Sequence, residues 1–118
     1  MSNSVQSFPE FVQQLPKGDY SGDDASAIRG FVVQGTNHQV VFNENDEYVE
    51  FKPHVHAESF GVVLSGWCEL VIEGVCTRYE VGQMYRIPAN TLHFARQSAN
   101  YKDVVIFNEA NRVPLKAE

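Results

Sequence analysis

From residue 27 to residue 109 the chain is a succession of short runs rich in β-branched and aromatic residues, among them "AIRGFVVQG", "HQVVFNE", "FGVVLSG", "WCELVIE", "VCTRYEV" and "DVVIFNE". Turn signals such as "GTN", "NEND", "EG" and "PAN" separate them at spacings of about ten residues or fewer, which suits a sandwich or barrel. No long amphipathic helical period interrupts the series. Alternating βα architectures are therefore disfavoured, and an all-β, antiparallel, closed or double-sheet fold is expected. Further strands are predicted at "EYVEFKPHVH", "QMYRIPA" and "TLHFARQ". With 118 residues, 43% of them hydrophobic, the chain can bury one core of ordinary size. The expected organisation is an N-terminal arm over residues 1–27, with a short helix and a loop, and a barrel over residues 28–118. In the arm, "SFPEFVQQLP" predicts a helical turn or two, with Ser7 as its cap, Pro9 in the first turn and Pro16 just beyond the end. "KGDYSGDDASA" reads as an exposed loop.

The formal charge of −6 argues against nucleic acid or an anionic membrane surface as a partner, since both need clusters of Lys and Arg. No apolar run approaches the roughly 18 residues of a membrane span. The N-terminus "MSNSVQSFPE" lacks the basic and apolar regions of a secretory signal, so a cytoplasmic protein is expected. Cys68 and Cys76 flank a turn at Glu73-Gly74. Simple hairpin pairing sets Cys76 opposite Val71 and Cys68 opposite Tyr79, so no disulfide is expected between them. Both read as small half-buried thiols in a reducing compartment.

Two of the four histidines stand in "FKPHVHAESFG". With one residue between them, His54 and His56 project from the same face of an extended segment, whereas on a helix they would diverge. Burying an imidazole without a partner costs about 1–3 kcal/mol, so an inward-facing pair implies hydrogen-bond partners or a cation. An outward-facing pair implies neither, and this stretch alone leaves both readings open.

A second stretch, "VGQMYRIPANTLHFARQ", places Pro88 after Gly82 and five intervening residues, then Asn90, then His93. A strand ending at Ile87 would meet Pro88, which cannot donate to a ladder, and then a tight turn in which Asn90 tolerates a left-handed backbone. Together the two stretches resemble the cupin superfamily, whose motifs are G-x5-H-x-H-x3,4-E-x6-G and G-x5-P-x-G-x2-H-x3-N. Gly82, Pro88 and His93 keep the spacing of the second motif, and His54, His56 and Gly66 match parts of the first. The resemblance covers residues from about 28 to 110. It implies a cupin-type double-stranded β-helix, a jelly-roll barrel, preceded by the short N-terminal helical segment. It also implies one divalent transition metal (Fe, Mn, Ni, Cu or Zn) on His54, His56 and His93, and a pocket open at one end to a small-molecule substrate or ligand. A homodimer that shares strands or an apolar sheet face is the expected assembly.

The departures from the family pattern bear on the chemistry. The acidic ligand of the family falls on Ser59 when counted back from Gly66, and on Phe60 or Gly61 when counted forward from His56; none is a carboxylate. Glu58 is the nearest acid, but on a regular strand it points to the side opposite Ser59 and ligates only if a bulge or turn reorients it. Tyr48 stands at the leading glycine, Asn90 at the turn glycine and Gln97 at the final asparagine. Three neutral imidazoles suit Zn, Cu, Fe or Ni and leave coordination positions open. Such a site would keep the full charge of the metal and favour an anionic chelating substrate such as an enolate or thiolate.

Three functional classes are compatible with these residues. The first is a metal-dependent enzyme, either dioxygenase-like, as in cupins that use three histidines without a carboxylate, or a Lewis-acid isomerase or lyase. The second is a non-catalytic binding module for a sugar acid or aromatic acid. The third is a degenerate, metal-free cupin whose histidines bond to one another, to Ser59 and to water. Phe60, Tyr85 and Phe94, with Trp67, are candidates for the pocket lining, and Tyr85, Arg86 and Glu58 for acid–base work. His38 lies outside both motifs and reads as a surface residue. "NENDEY" lacks the spacing of a hand-type calcium loop.

Overall fold

The structure, a computed structural model, describes residues 7–117. Residues 1–6, which carry part of the signal-peptide reading, lie outside them. Two antiparallel sheets face each other. The six-stranded sheet runs in the order β1 (Lys17–Gly18), β2 (Arg29–Gln34), β3 (Gln39–Asn45), β10 (Tyr101–Phe107), β5 (Ser59–Ser65) and β8 (Met84–Ile87). The four-stranded sheet runs β4 (Val49–Glu50), β9 (His93–Gln97), β6 (Trp67–Ile72) and β7 (Val75–Glu80). The double-sheet fold expected from the strand spacing, and the jelly roll that the motif resemblance implies, are thus present. Alternation supplies the core between the sheets: Val41, Val63, Leu70, Ala95, Val105 and Phe107 all point inward and are buried.

The segment "EYVEFKPHVH" is not the single long strand that its composition predicts. Only Val49–Glu50 pairs regularly with β9, and the ladder resumes as an isolated bridge between His54 and His93. From Val49 to His54 the chain advances five residues, from 49 to 54, while its partner goes back four, from 97 to 93. One residue is therefore extra, at Lys52-Pro53, where proline has no N–H to offer the ladder. The bulge decides the site. Val49 and Phe51 face the core, so in an unbroken strand His54 would face outward; the added residue turns it to the inner side.

The N-terminal helix, α1, is confined to Glu10–Gln13, with Pro9 at its cap position and no side-chain cap. Ser7 is not its cap, because its hydroxyl instead donates to both carboxylate oxygens of the buried Glu44, at 2.9 and 2.8 Å. Glu44 also accepts from Arg29 Nε at 2.9 Å, and a buried carboxylate gathers such donors where an exposed cap would not. Phe8 and Val12 cover the outer face of the large sheet, with the Phe8 ring edge-on to Phe31 and Phe42. The predicted loop contains β1 and a 3-10 turn at Ser21–Asp23, so part of the arm extends the sheet edge. No helix among the described residues is long and apolar enough to cross a membrane.

Turn chemistry follows the residues. Glu73 and Gly74 both have positive φ, 49° and 81°, as a two-residue hairpin turn of the primed type requires. Its register pairs Cys68 with Tyr79 and Val71 with Cys76, and both cysteines are free. Gly61 has a different reason. It pairs with Tyr85 and Val105, and the Tyr85 ring lies across its Cα. A Cβ at position 61 would stand 2.7 Å from Tyr85 Cε2 and closer still to the ring end. Gly61→Ala is expected to destabilise the fold by about 1–3 kcal/mol, the range for overpacking, measured by urea denaturation. Gly74→Ala is the comparison: nothing lies within 4 Å of its Cβ, so only the backbone cost of positive φ remains.

Candidate metal centre

His93 is the first residue of β9, directly after the Pro88–Leu92 turn in which Asn90 adopts the left-handed conformation, φ 57°. Asn90 N–H donates to the His56 carbonyl at 2.9 Å, so the turn of the second histidine stretch is tied to the first. His54 and His93 exchange backbone hydrogen bonds, His54 N–H to His93 O at 2.9 Å and the reverse at 3.1 Å. These bonds set the rings side by side. Ring centroids are 4.4 Å apart for His54 and His93, 4.6 Å for His56 and His93, and 5.3 Å for His54 and His56. One ring nitrogen from each histidine lies within 4.8 Å of the other two.

Hydrogen bonding at the other nitrogen selects the tautomer. Nδ1 of His54 contacts the Lys52 carbonyl at 2.7 Å, Nδ1 of His56 the Ala57 carbonyl at 2.6 Å, and Nδ1 of His93 the Thr91 carbonyl at 2.8 Å. A carbonyl only accepts, so each Nδ1 carries the proton and each Nε2 presents a lone pair, that of His54 accepting from Arg112 Nη2 at 3.1 Å. Backbone carbonyls play the orienting part that they play behind histidine ligands of metals. Burial holds all three imidazoles below the usual histidine pKa, His56 down to about 4. The backbone bonds at Nδ1 pull the other way in each ring, and the nearby Arg112 cation adds to the depression. At neutral pH the three are uncharged, which is the state that binds a cation. The donor set therefore fits a first-row divalent ion.

The histidines stand at one side of a cavity of about 50 Å³ between the sheets, lined also by Phe51, Ile87, Val105 and Phe107. That is room for a few waters or a small ligand. Ser59, at the position of the family's acid, lines the cavity; its Oγ is buried and lacks a partner among the described residues. Glu58 is not gathered with the histidines: its carboxylate accepts from Arg86 Nε on the exposed side of β5 and β8. No bulge reorients it, since Ser59 pairs regularly with Ile87 and Phe107. Tyr85 lines the cavity, whereas Phe60 and Phe94 do not. Phe60 lies one residue from the inward Ser59 and is exposed, and Phe94 alternates with the inward His93 and Ala95. Trp67 also lies outside the cavity, under the Arg78 guanidinium at 3.9 Å.

The sequence matches no protein-family model and no curated protein. Among solved structures, an RmlC-like cupin from Shewanella frigidimarina superposes with a TM-score of 0.72 at 18% identity, over 94% of this chain and 97% of that one. A cupin superfamily protein from Desulfitobacterium hafniense gives 0.67 at 11% identity, over 92% and 96%. The chain has the cupin fold. KdgF from a Halomonas species, another neighbour, gives 0.64 at 22% identity, over 73% of this chain and 82% of that one. In this cupin fold the three-histidine group sits where the two motif stretches converge, a placement compatible with metal binding.

Sequence reading missed Asp103 and the network around it, which also lines the cavity. Asp103 is buried; its Oδ2 accepts from Tyr85 and Tyr101 hydroxyls, both at 2.7 Å, and its Oδ1 from Asn43 Nδ2 at 3.0 Å. Asn43 in turn accepts from Tyr20 at 2.5 Å. A signal was present: Tyr101, Asp103, Val105 and Phe107 alternate on one face, and an acid on an apolar face needs buried donors. Arg112 was also missed. It belongs to no strand, and nothing in "NEANRVPLK" marks it.

Proposed function

We propose that this protein is a metal-dependent enzyme acting on a small anionic molecule, with Fe, Mn, Ni, Cu or Zn held by Nε2 of His54, His56 and His93. The observation that carries the reading is the set of three Nδ1 bonds to carbonyls, which leave Nε2 as the unprotonated nitrogen in each of three histidines grouped within 4.8 Å. Ser59 Oγ is the polar group nearest in kind to a fourth donor, while Glu58 is engaged with Arg86. When bound, such an ion would act as a Lewis acid or as the site of dioxygen chemistry. The chain itself supplies a small cavity of mixed polar and apolar lining, and Tyr85, whose hydroxyl is held by Asp103, faces it. A dioxygenase-like reaction and a Lewis-acid isomerisation or elimination both fit this set.

The expected assembly is a homodimer, formed through the outer face of the large sheet, where Phe60, Leu64, Met84 and Ile106 are exposed. The free cysteines suit a cytoplasmic setting. Elemental analysis of protein purified without chelators tests the metal. The wild type should carry about one equivalent of a first-row metal and the His54→Ala, His93→Ala double variant none. Equal, negligible metal in both would leave only a metal-free cupin.

A further inference from the structure

Arg112 lies in the tail that follows β10 and lines the same cavity as the histidines. Its Nη2 donates to Asp23 Oδ2 at 2.9 Å and to His54 Nε2 at 3.1 Å. The guanidinium carbon is 5.5 Å from the centre of the Phe107 ring, so the group is held from two sides. Its Nε is buried and has no partner among the described residues. An unpartnered buried donor on a cation is costly, and its presence beside a cavity calls for an acceptor.

The bond to His54 has a consequence for that lone pair. Nδ1 of His54 is committed to the Lys52 carbonyl, so Nε2 is the nitrogen left for a metal, and it already accepts from Arg112. One lone pair cannot serve both. We propose that Arg112 occupies the His54 lone pair until a metal takes it, and that the released guanidinium then binds the carboxylate of a small metal-chelating acid. The inference rests on the metal reading above. A carboxylate is the anion whose planar pair of oxygens matches the guanidinium fork. A phosphate would bring more oxygens than the unpartnered donors here, Arg112 Nε and the Ser59 hydroxyl, can satisfy. The cavity volume of about 50 Å³ favours an acid of a few heavy atoms.

The test uses cobalt(II) and pyruvate, a small carboxylate with an adjacent keto oxygen. Cobalt affinity is measured by calorimetry for wild type, Arg112→Met and Arg112→Lys, and pyruvate affinity for the cobalt-loaded and metal-free forms. Arg112→Met should bind cobalt severalfold more tightly than wild type, because a competitor for His54 and a neighbouring positive charge are gone. It should bind pyruvate roughly tenfold or more weakly, the scale of a lost charge-assisted bond. Arg112→Lys, which keeps the charge without the fork, should fall between, and circular dichroism checks that each variant is folded. Metal-free wild type should not bind pyruvate. Equal pyruvate binding by cobalt-loaded wild type and Arg112→Met, no binding by wild type, or cobalt binding by Arg112→Met no tighter than that of wild type overturns the inference. Wild type that takes up no cobalt refutes the metal reading itself, a result visible before any Arg112 variant is made, and the inference falls with it.

Discussion

Asp103→Ala is expected to lower the stability of the fold by about 3 kcal/mol or more. The carboxylate accepts from the hydroxyls of Tyr85 and Tyr101, both at 2.7 Å, and from Asn43 Nδ2. Each buried donor left without a partner costs about 1–3 kcal/mol, and three are left at once. Because Tyr85 crosses Gly61 to reach this carboxylate, the variant also frees a ring that lines the cavity. Urea denaturation of the metal-free protein measures the loss. A change below about 1 kcal/mol would mean that water replaces the carboxylate without penalty.

The same variant carries a sign in pH. Burial raises the Asp103 pKa above the ordinary carboxylate value, and the bonds from Tyr85, Tyr101 and Asn43 oppose that rise without cancelling it. Tyr85 and Tyr101 are themselves pushed well above the usual phenol range by burial, so they remain neutral donors. With the folded pKa above the unfolded one, the native state holds a proton that the unfolded chain has already lost. The contribution of Asp103 is therefore complete below the unfolded pKa of 3.8 and declines as pH rises through the folded value. The difference between wild type and Asp103→Ala should be larger near the acid end of the folded range than at alkaline pH. A difference that grows with pH would contradict the assignment.

The sequence exposed an all-β double-sheet fold because its short β-branched and aromatic runs are separated by residues that turns favour, and the motif resemblance narrowed that to a jelly roll. Glu73-Gly74 is the sharpest case, since its positive φ pair sets the Cys68–Tyr79 register by itself. The histidine trio was legible through motif spacing, yet the physical route to it was not. Simple alternation placed His54 and His56 on one face, which holds, but it could not see the bulge at Lys52-Pro53 that turns that face inward. A bulge depends on the partner strand, and pairing is a long-range property that a local pattern does not contain. Ser7 failed as a cap for a related reason: Glu44, distant in sequence, offered its hydroxyl a buried partner. Arg112 was invisible because its position follows from contacts with Asp23, Phe107 and His54 and from no periodicity.

The effect on metal binding should be largest at His93, since its ring lies within 4.6 Å of both other imidazole centroids. At a free metal concentration about a thousand times Kd, an ion that binds only the folded state adds about 4 kcal/mol, which raises Tm by roughly 10–20 °C for a chain of this size. Losing an orienting partner of a metal ligand already costs about 10- to 100-fold in affinity, so losing the ligand costs about 100-fold or more. At the same metal concentration the stabilisation of His93→Ala then falls to about 1.4 kcal/mol or less. The backbone bonds between residues 54 and 93 involve only N–H and C=O groups, so alanine retains the bridge and the metal-free melting point should stay close to that of wild type. His38→Ala is the control, because His38 is exposed and outside the cluster, and its metal-induced shift should match the wild type. A full shift in His93→Ala would mean that the ion binds elsewhere. No shift in the wild type, with zinc or cobalt near neutral pH, would mean that three neutral imidazoles in one cavity are held by hydrogen bonds alone.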